Sequence, residues 1–329
     1  MLSIGSAKLS KLVLKSSRSE SLTDSLGFFL LLMIGILGNL HILLNFAYIK
    51  IIEKKLLPTN IIHVALSLAN LVIIVSRILL QFLKAIGVQH LLDDTMCKIF
   101  VYSYRVSRAM SICMTSLLSI HQSVLIAPNS RLWSFLKQQI AKNILVIIIL
   151  ILLINLIIYR NGIMHATSNN NSTTSPYTLQ LVYCYMVYFT YHTYIVNGAT
   201  FASRDFLFVG MMAMASSYIV YALVRHAKSI KGKRSSDKVQ GRSAEFKASR
   251  AVILLVTLYV LLFGFDNSMW IYTLTLTNVR PDMNEIRIAL ACSYSALSPI
   301  VIIATNPKLQ QWTKLLYSKV LYWKQSRNM

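Results

Sequence analysis

Apolar positions along this chain gather into seven long runs, and polar positions gather between them. Windows of about 19 residues, the length that crosses a bilayer as a helix, place the runs at Leu26–Tyr48, Asn60–Leu83, Cys97–Pro128, Ile140–Tyr159, Tyr194–Val224, Ala251–Leu276 and Ile286–Thr305. None alternates with the period of two that a strand requires, and each is too long for a buried strand. Pro58 precedes the second run, where a proline suits the first turn of a helix. The fourth, NILVIIILILLINLIIY, is almost wholly aliphatic. The pattern predicts an all-α membrane protein, a bundle of seven transmembrane helices spanning residues 26–305. A tail of residues 1–25 precedes the bundle and a tail of residues 306–329 follows it.

The third run is the least apolar. It keeps Arg105 and Arg108 within a stretch long enough to span roughly 45 Å at ~1.5 Å per residue. Lipid does not solvate a guanidinium, so both must face protein or water. Other charges share the predicament: Arg77 in the second run, Arg204 and Asp205 in the fifth, Asp266 in the sixth. Counted along helices of ~1.5 Å rise, Arg77, Arg105, Arg108, Arg204 and Asp266 all fall near or within one half of a ~30 Å hydrocarbon core. Two readings follow. Four arginines against two acids form a cavity with surplus positive charge, fitted to an anionic or strongly hydrogen-bond-accepting small molecule. Alternatively Arg105 pairs with Asp266 or Asp205 to hold helices together, while Arg77 and Arg204 snorkel to the interface. Tyr104 and its aromatic neighbours serve either as an interface belt or as part of a ligand cage.

Composition excludes a soluble domain, because 13% charged residues is about half the soluble norm of ~25%. The excess of 33 Lys and Arg over 11 Asp and Glu, +22 in all, sits in short segments between the runs. Topology therefore accounts for it, and nucleic acid is not expected as a partner. Lys50, Lys54 and Lys55 follow the first run, and Arg131 and Lys137 follow the third. Nine bases, Arg225 and Lys247 among them, lie between the fifth and sixth, and Lys308 and further bases follow the seventh. Residues 161–203, on the other side, contain no Lys, Arg, Asp or Glu. The bias puts the N-terminus outside and the C-terminus in the cytoplasm, against only the basic N-terminal tail. Overlapping glycosylation sequons at Asn170 and Asn171 fall in the loop that this orientation makes extracellular. Of four cysteines, Cys97 and Cys184 lie on the outer side, while Cys113 and Cys292 lie mid-span; topology favours a single Cys97–Cys184 bridge.

The residues of the second and third runs, PTNIIHVALSLANLVIIVSR and HLLDDTMCKIFVYSYRVSRAMSICMTSLLSIHQSVLIAP, resemble the vomeronasal type-1 pheromone receptors and their fish olfactory relatives, a branch of the G-protein-coupled receptors. RDFLFVGMMAMASSYIVYALVRH, SRAVILLVTLYV and ALSPIVI extend the resemblance over about residues 26–308. Where most rhodopsin-like receptors keep an acidic-Arg-aromatic triplet, this chain has His121-Gln122-Ser123; where they keep an aspartate in the second helix it has Asn70, and for their Asn-Pro it has Ser298-Pro299. The departures are similar to those of the vomeronasal family, and they remove the usual arginine lock and sodium site. Asn306-Pro307-Lys308-Leu309 is also similar to bitter-taste receptors of type 2, the nearest rival. A transporter is the rival from another class, but it lacks support in any internal repeat.

The resemblance implies a chemosensory receptor of the plasma membrane for a small pheromone or odorant, coupled to an inhibitory-class heterotrimeric G protein. His121, Gln122, Arg225 and Lys247 are then the expected G-protein contacts, with anionic membrane lipid an additional partner for the bases. Residues 308–323 place Leu309, Trp312, Leu315 and Leu316 at helical spacing among bases, an amphipathic helix on the inner leaflet. No phosphate loop, metal-ligand cluster or paired carboxylates occur, so neither an enzyme nor a cofactor is expected.

Overall fold

The computed structural model describes the backbone of residues 2–54, 56–88, 91–128, 130–168, 178–188, 190–230, 239–275, 281–306 and 309–310; side chains are described within 25–54, 56–88, 91–128, 130–160, 163–168, 181–188, 190–225, 249–269, 285–306 and 309–310. Helices are α1 (Leu2–Glu53), α2 (Pro58–Ile73), α3 (Leu79–Ala85), α4 (Asp94–Ile126), α5 (Arg131–Tyr159), α6 (Tyr191–Ile230), α7 (Val239–Thr275) and α8 (Pro281–Thr305). A π-helical turn, Ile74–Ile78, joins α2 to α3 into one span. Seven helices are long and apolar enough to cross a membrane, at the seven predicted places. Boundaries move outward where the sequence turns amphipathic: α5 begins at Arg131 rather than Ile140, and α6 at Tyr191 rather than Tyr194.

Local chemistry fixes the starts. Pro58 lies in the first turn of α2, where its missing N–H costs nothing. Asp93 caps α4, its side chain accepting from Met96 N at 2.8 Å, which satisfies one of the orphan amides of the first turn. The third span is the most buried of the seven, with 72% of its most apolar window inside the bundle against 17% for the aliphatic fourth. The fourth can afford its featureless Leu and Ile because lipid is as apolar as a core. The central position of α4 is the reason its small and polar residues, Ser107, Ser111, Thr115, Ser116 and Ser119, are buried.

Ser111, Thr115 and Ser119 are held by neutral hydrogen bonds, Thr115 Oγ1 donating to Ser111 O and Ser119 Oγ to Thr115 O. Ser111 Oγ donates to Asn70 Oδ1 at 2.9 Å, and Asn70 Nδ2 donates to Ser298 Oγ at 3.0 Å, joining the second, third and seventh spans. Thr115 Oγ1 and Tyr294 Oη are 2.8 Å apart, and Tyr294 stands edge-on to Tyr259. Asn39 Nδ2 donates to Ser295 O at 3.0 Å and ties the first span to the seventh. Two glycines let the first span approach its neighbours: a Cβ on Gly35 would lie 2.6 Å from Ile74 Cδ1 of the second span, and one on Gly38 would lie 2.7 Å from Pro299 Cβ of the seventh.

At one end of the bundle, Cys97 at the start of α4 is bonded to Cys184, closing a loop of 87 residues. Cys113 and Cys292 are free and buried. The loop between α5 and α6 carries β1 (Ala166–Thr167), β2 (Thr178–Gln180) and β3 (Tyr185–Val187) as an antiparallel sheet of order β1-β3-β2, with Ala166 opposite Met186 and Leu179 opposite the same residue. Asp94 Oδ1 accepts from Ser168 N at 2.6 Å and from the hydroxyls of Thr167 and Ser168, a second pin beside the disulfide. At the far end, Gln310 N donates to Asn306 O at 3.1 Å and Leu309 is fully buried; the rest of the expected amphipathic segment lies outside the described residues.

Candidate ligand-binding site

Beneath the disulfide-bonded loop the helices leave a cavity of about 270 Å³, into which Leu181 of the loop reaches. Its wall carries Arg77, Arg105, Arg108, Arg204 and Arg287 together with Asp205 and Asp266. All of these but Arg287 were singled out from the sequence as charges within the spans, and the fold brings them to one space. Arg287 was missed. It sits one residue inside the seventh run, at the edge of the window where a basic residue passes for an interface anchor; an arginine on the predicted inside of the run was the available signal.

Each charge is positioned by a different device. The wide turn of Ile74–Ile78 carries Arg77, and insertions of this kind redirect side chains within an otherwise regular helix, often at functional sites. Arg77 is buried, and its guanidinium lies 5.3 Å from the centre of the Tyr104 ring. Arg105 and Arg108 are neighbours on one face of α4 but meet different partners. Arg108 Nη2 donates to Asp266 Oδ2 at 3.1 Å, with Tyr104 Oη 3.4 Å from its Nη1. The Arg105 guanidinium lies over Phe201, 5.1 Å from the ring centre. Arg204 forms an ion pair with Asp205, donates to Asn155 Oδ1 at 3.2 Å and covers the Tyr159 ring at 5.1 Å.

This arrangement corrects three expectations. Asp266 pairs with Arg108, not with Arg105. Asp205 pairs with Arg204, its neighbour in sequence. Arg77 and Arg204 do not snorkel: both turn inward, because aromatic faces and a carboxylate within the bundle stabilise them. Stacking on a ring contributes only about 0.5–2 kcal/mol, whereas an uncompensated ion in a protein interior costs several kcal/mol. Arg77 Nε, Arg105 Nη1 and Arg287 Nε are buried and have no hydrogen-bond partner among the described residues.

A small space of about 20 Å³ continues from the cavity past Arg108 and Asp266 to Ser111, Tyr259 and Tyr294, so the charged layer adjoins the neutral Asn70 network. In the loop that carries Cys184, Tyr183 Oη donates to Val88 O at 2.8 Å, and burial pushes this phenol's pKa up. Among the described residues no cluster of metal-ligating side chains occurs.

At the far end, His121 and Gln122 are buried, 4% and 3% exposed. The central place of α4 covers them, so in this packing they offer no surface to a partner; Arg225 is exposed. The side chain of Lys247, and the sequon residues Asn170 and Asn171, lie outside the described residues.

Seven membrane-length helices with the third buried among the others, a disulfide from that helix to the loop between α5 and α6, and a polar cavity beneath the loop define a seven-span membrane receptor. Residues 24–315 match the model of the vomeronasal organ pheromone receptor family. The chain is 35% identical over 278 residues to olfactory receptor class A-like protein 1 of Danio rerio, covering 84% of this chain and 87% of that one. It is 28% identical over 283 residues to vomeronasal type-1 receptor 45 of Mus musculus, 85% and 87% covered, and 26% identical over 290 residues to vomeronasal type-1 receptor 3 of Homo sapiens, 84% and 89% covered. The chain belongs to the vomeronasal organ pheromone receptor family. It is a multi-pass plasma-membrane chemosensory G-protein-coupled receptor, in a family that is not enzymatic.

Proposed function

We propose that this receptor binds an anionic pheromone or odorant in the arginine-walled cavity and thereby activates an inhibitory-class G protein at the opposite end of the bundle. The observation that carries the reading is the imbalance of the wall, five guanidiniums against two carboxylates. Loop charges support an orientation with the disulfide end and residues 1–25 outside and residues 306–329 in the cytoplasm, which opens the cavity to the medium. A ligand held between α4, α6, α7 and α8 would shift a pre-existing equilibrium between two packings of these helices. His121 and Gln122 would meet the G protein in the packing that uncovers the far end, with Arg225 and Lys247 flanking them.

Cells expressing the receptor with a promiscuous G-protein reporter, screened against carboxylates, sulfates and their neutral esters, test the reading. Responses to acids are expected to disappear in Arg105→Gln while surface expression persists. Unchanged acid responses in that variant would falsify the anionic-ligand reading. Loss of signalling through the native G protein on treatment with pertussis toxin is expected; toxin-resistant signalling excludes the inhibitory class.

A further inference from the structure

The cavity's arginines are not equivalent. Arg108 and Arg204 are already neutralised, by Asp266 and Asp205. Arg77, Arg105 and Arg287 have no carboxylate partner among the described residues, and each keeps a buried nitrogen without an acceptor. Two of the three rest on aromatic faces, which attract a cation but carry no charge to cancel it. Arg77 and Arg287 approach from the second and seventh spans, and Arg105 approaches from the third beside Phe201 of the fifth. The unmet charges thus lie on different sides of one space.

We propose that Arg77, Arg105 and Arg287 are the ligand-binding arginines, that Arg108 and Arg204 are held structurally, and that the fitting ligand carries two negative charges. A monoanion satisfies one guanidinium fork and leaves two cations uncancelled; a dianion, as a dicarboxylate or a phosphate monoester, leaves one. Guanidinium recognition of such groups is bidentate and charge-assisted, so an additional anionic group gains both hydrogen bonds and cancellation of charge. Arg287 is the residue that distinguishes this from a generic anion site, because it brings the seventh span to the ligand. This inference rests on the anionic-ligand reading and specifies it.

The test uses the purified full-length receptor and its thermal stability, since a ligand that binds only the folded state raises the melting temperature. The probes are benzoate, benzene-1,3-dicarboxylate, phenyl phosphate and the neutral dimethyl diester, at matched ionic strength because screening weakens exposed charges. The dianions are expected to half-saturate at concentrations about tenfold to a hundredfold below benzoate, the ratio for one additional hydrogen-bonded charge. Arg287→Gln is expected to raise the dianion half-saturation by that factor and leave benzoate near its original value, collapsing the ratio. A variant that merely folds poorly lowers the melting temperature without changing the ratio, so an unchanged ratio in Arg287→Gln overturns the role given to this residue. Equal potency of benzoate and the dianions on the unaltered receptor overturns the dianion proposal and spares the anionic reading. No stabilisation by any acid, or stabilisation by the diester alone, overturns both.

Discussion

Replacing Asp266 by Asn would leave Arg108 facing the cavity without its counter-ion. The pair is 3.1 Å apart, with side-chain exposures of 30% for Arg108 and 13% for Asp266. Removing one partner of a fully buried pair costs ~3–5 kcal/mol, mostly from the charge left behind. Solvent reaching Arg108 screens part of that, so about 2 kcal/mol is expected here. The loss is also aggravated by the other arginines, since removal of Asp266 leaves Asp205 as the sole carboxylate among the five guanidiniums of the wall. For a chain of this size the change corresponds to a melting temperature lower by about 3 °C. The assay is thermal denaturation of the detergent-solubilised receptor in a double-mutant cycle of Asp266→Asn, Arg108→Gln and the pair. The double variant is expected to regain more than half of the single variant's loss, because no charge is then stranded. Additive losses, with a coupling energy under ~0.5 kcal/mol, would refute the pairing and with it the structural role given to Arg108.

Further outcomes follow from other contacts. Cys97→Ser or Cys184→Ser releases a closed loop of 87 residues, worth about 4–5 kcal/mol on the chain-entropy model; surface expression should fall sharply in either variant, and wild-type levels would contradict this. Gly38→Leu drives a side chain into Pro299, where even a Cβ would come within 2.7 Å, so the first and seventh spans should separate and folded yield should collapse. Gly27→Leu, with nothing within 4 Å of its Cβ position, should be tolerated. Asn70→Leu strands the hydroxyls of Ser111 and Ser298 and should cost about 0.6–2 kcal/mol in a membrane interior, read as a lower melting temperature; Asn70→Asp should be worse, since it places a charge in a buried neutral network. Glycosidase treatment should lower the apparent mass of the receptor, and the double variant Asn170→Gln, Asn171→Gln should remove the shift; an unchanged mass in the wild type would count against an extracellular loop.

The seven spans were legible because the requirement is one-dimensional: about 20 apolar residues must pass lipid whatever surrounds them. The Cys97–Cys184 bond was legible for a similar reason, as loop charge sorts cysteines by side. The starts of α5 and α6 were not, because residues 131–139 and 191–193 continue a helix beyond the apolar window, and hydropathy does not register a helix outside lipid. Arg287 escaped because a single base at a span edge looks like an anchor. The burial of His121 and Gln122 was invisible as well: a polar triplet at the end of a run reads as surface unless the helix is known to be central.

By itself, then, the sequence determined which segments cross, that the arginines gather toward one end of the spans, and which cysteines can meet. Only the tertiary structure decided that Asp266 takes Arg108, that Asp205 takes Arg204, and that Arg77, Arg105 and Arg287 have no carboxylate partner among the described residues. Residues three apart on one helix share a face, but their partners on other helices depend on the rotation and axial offset of each helix. Those are set by packing, by the close approach at Gly35 and Gly38 and by the wide turn at Ile74–Ile78, and no window of a single chain segment contains them.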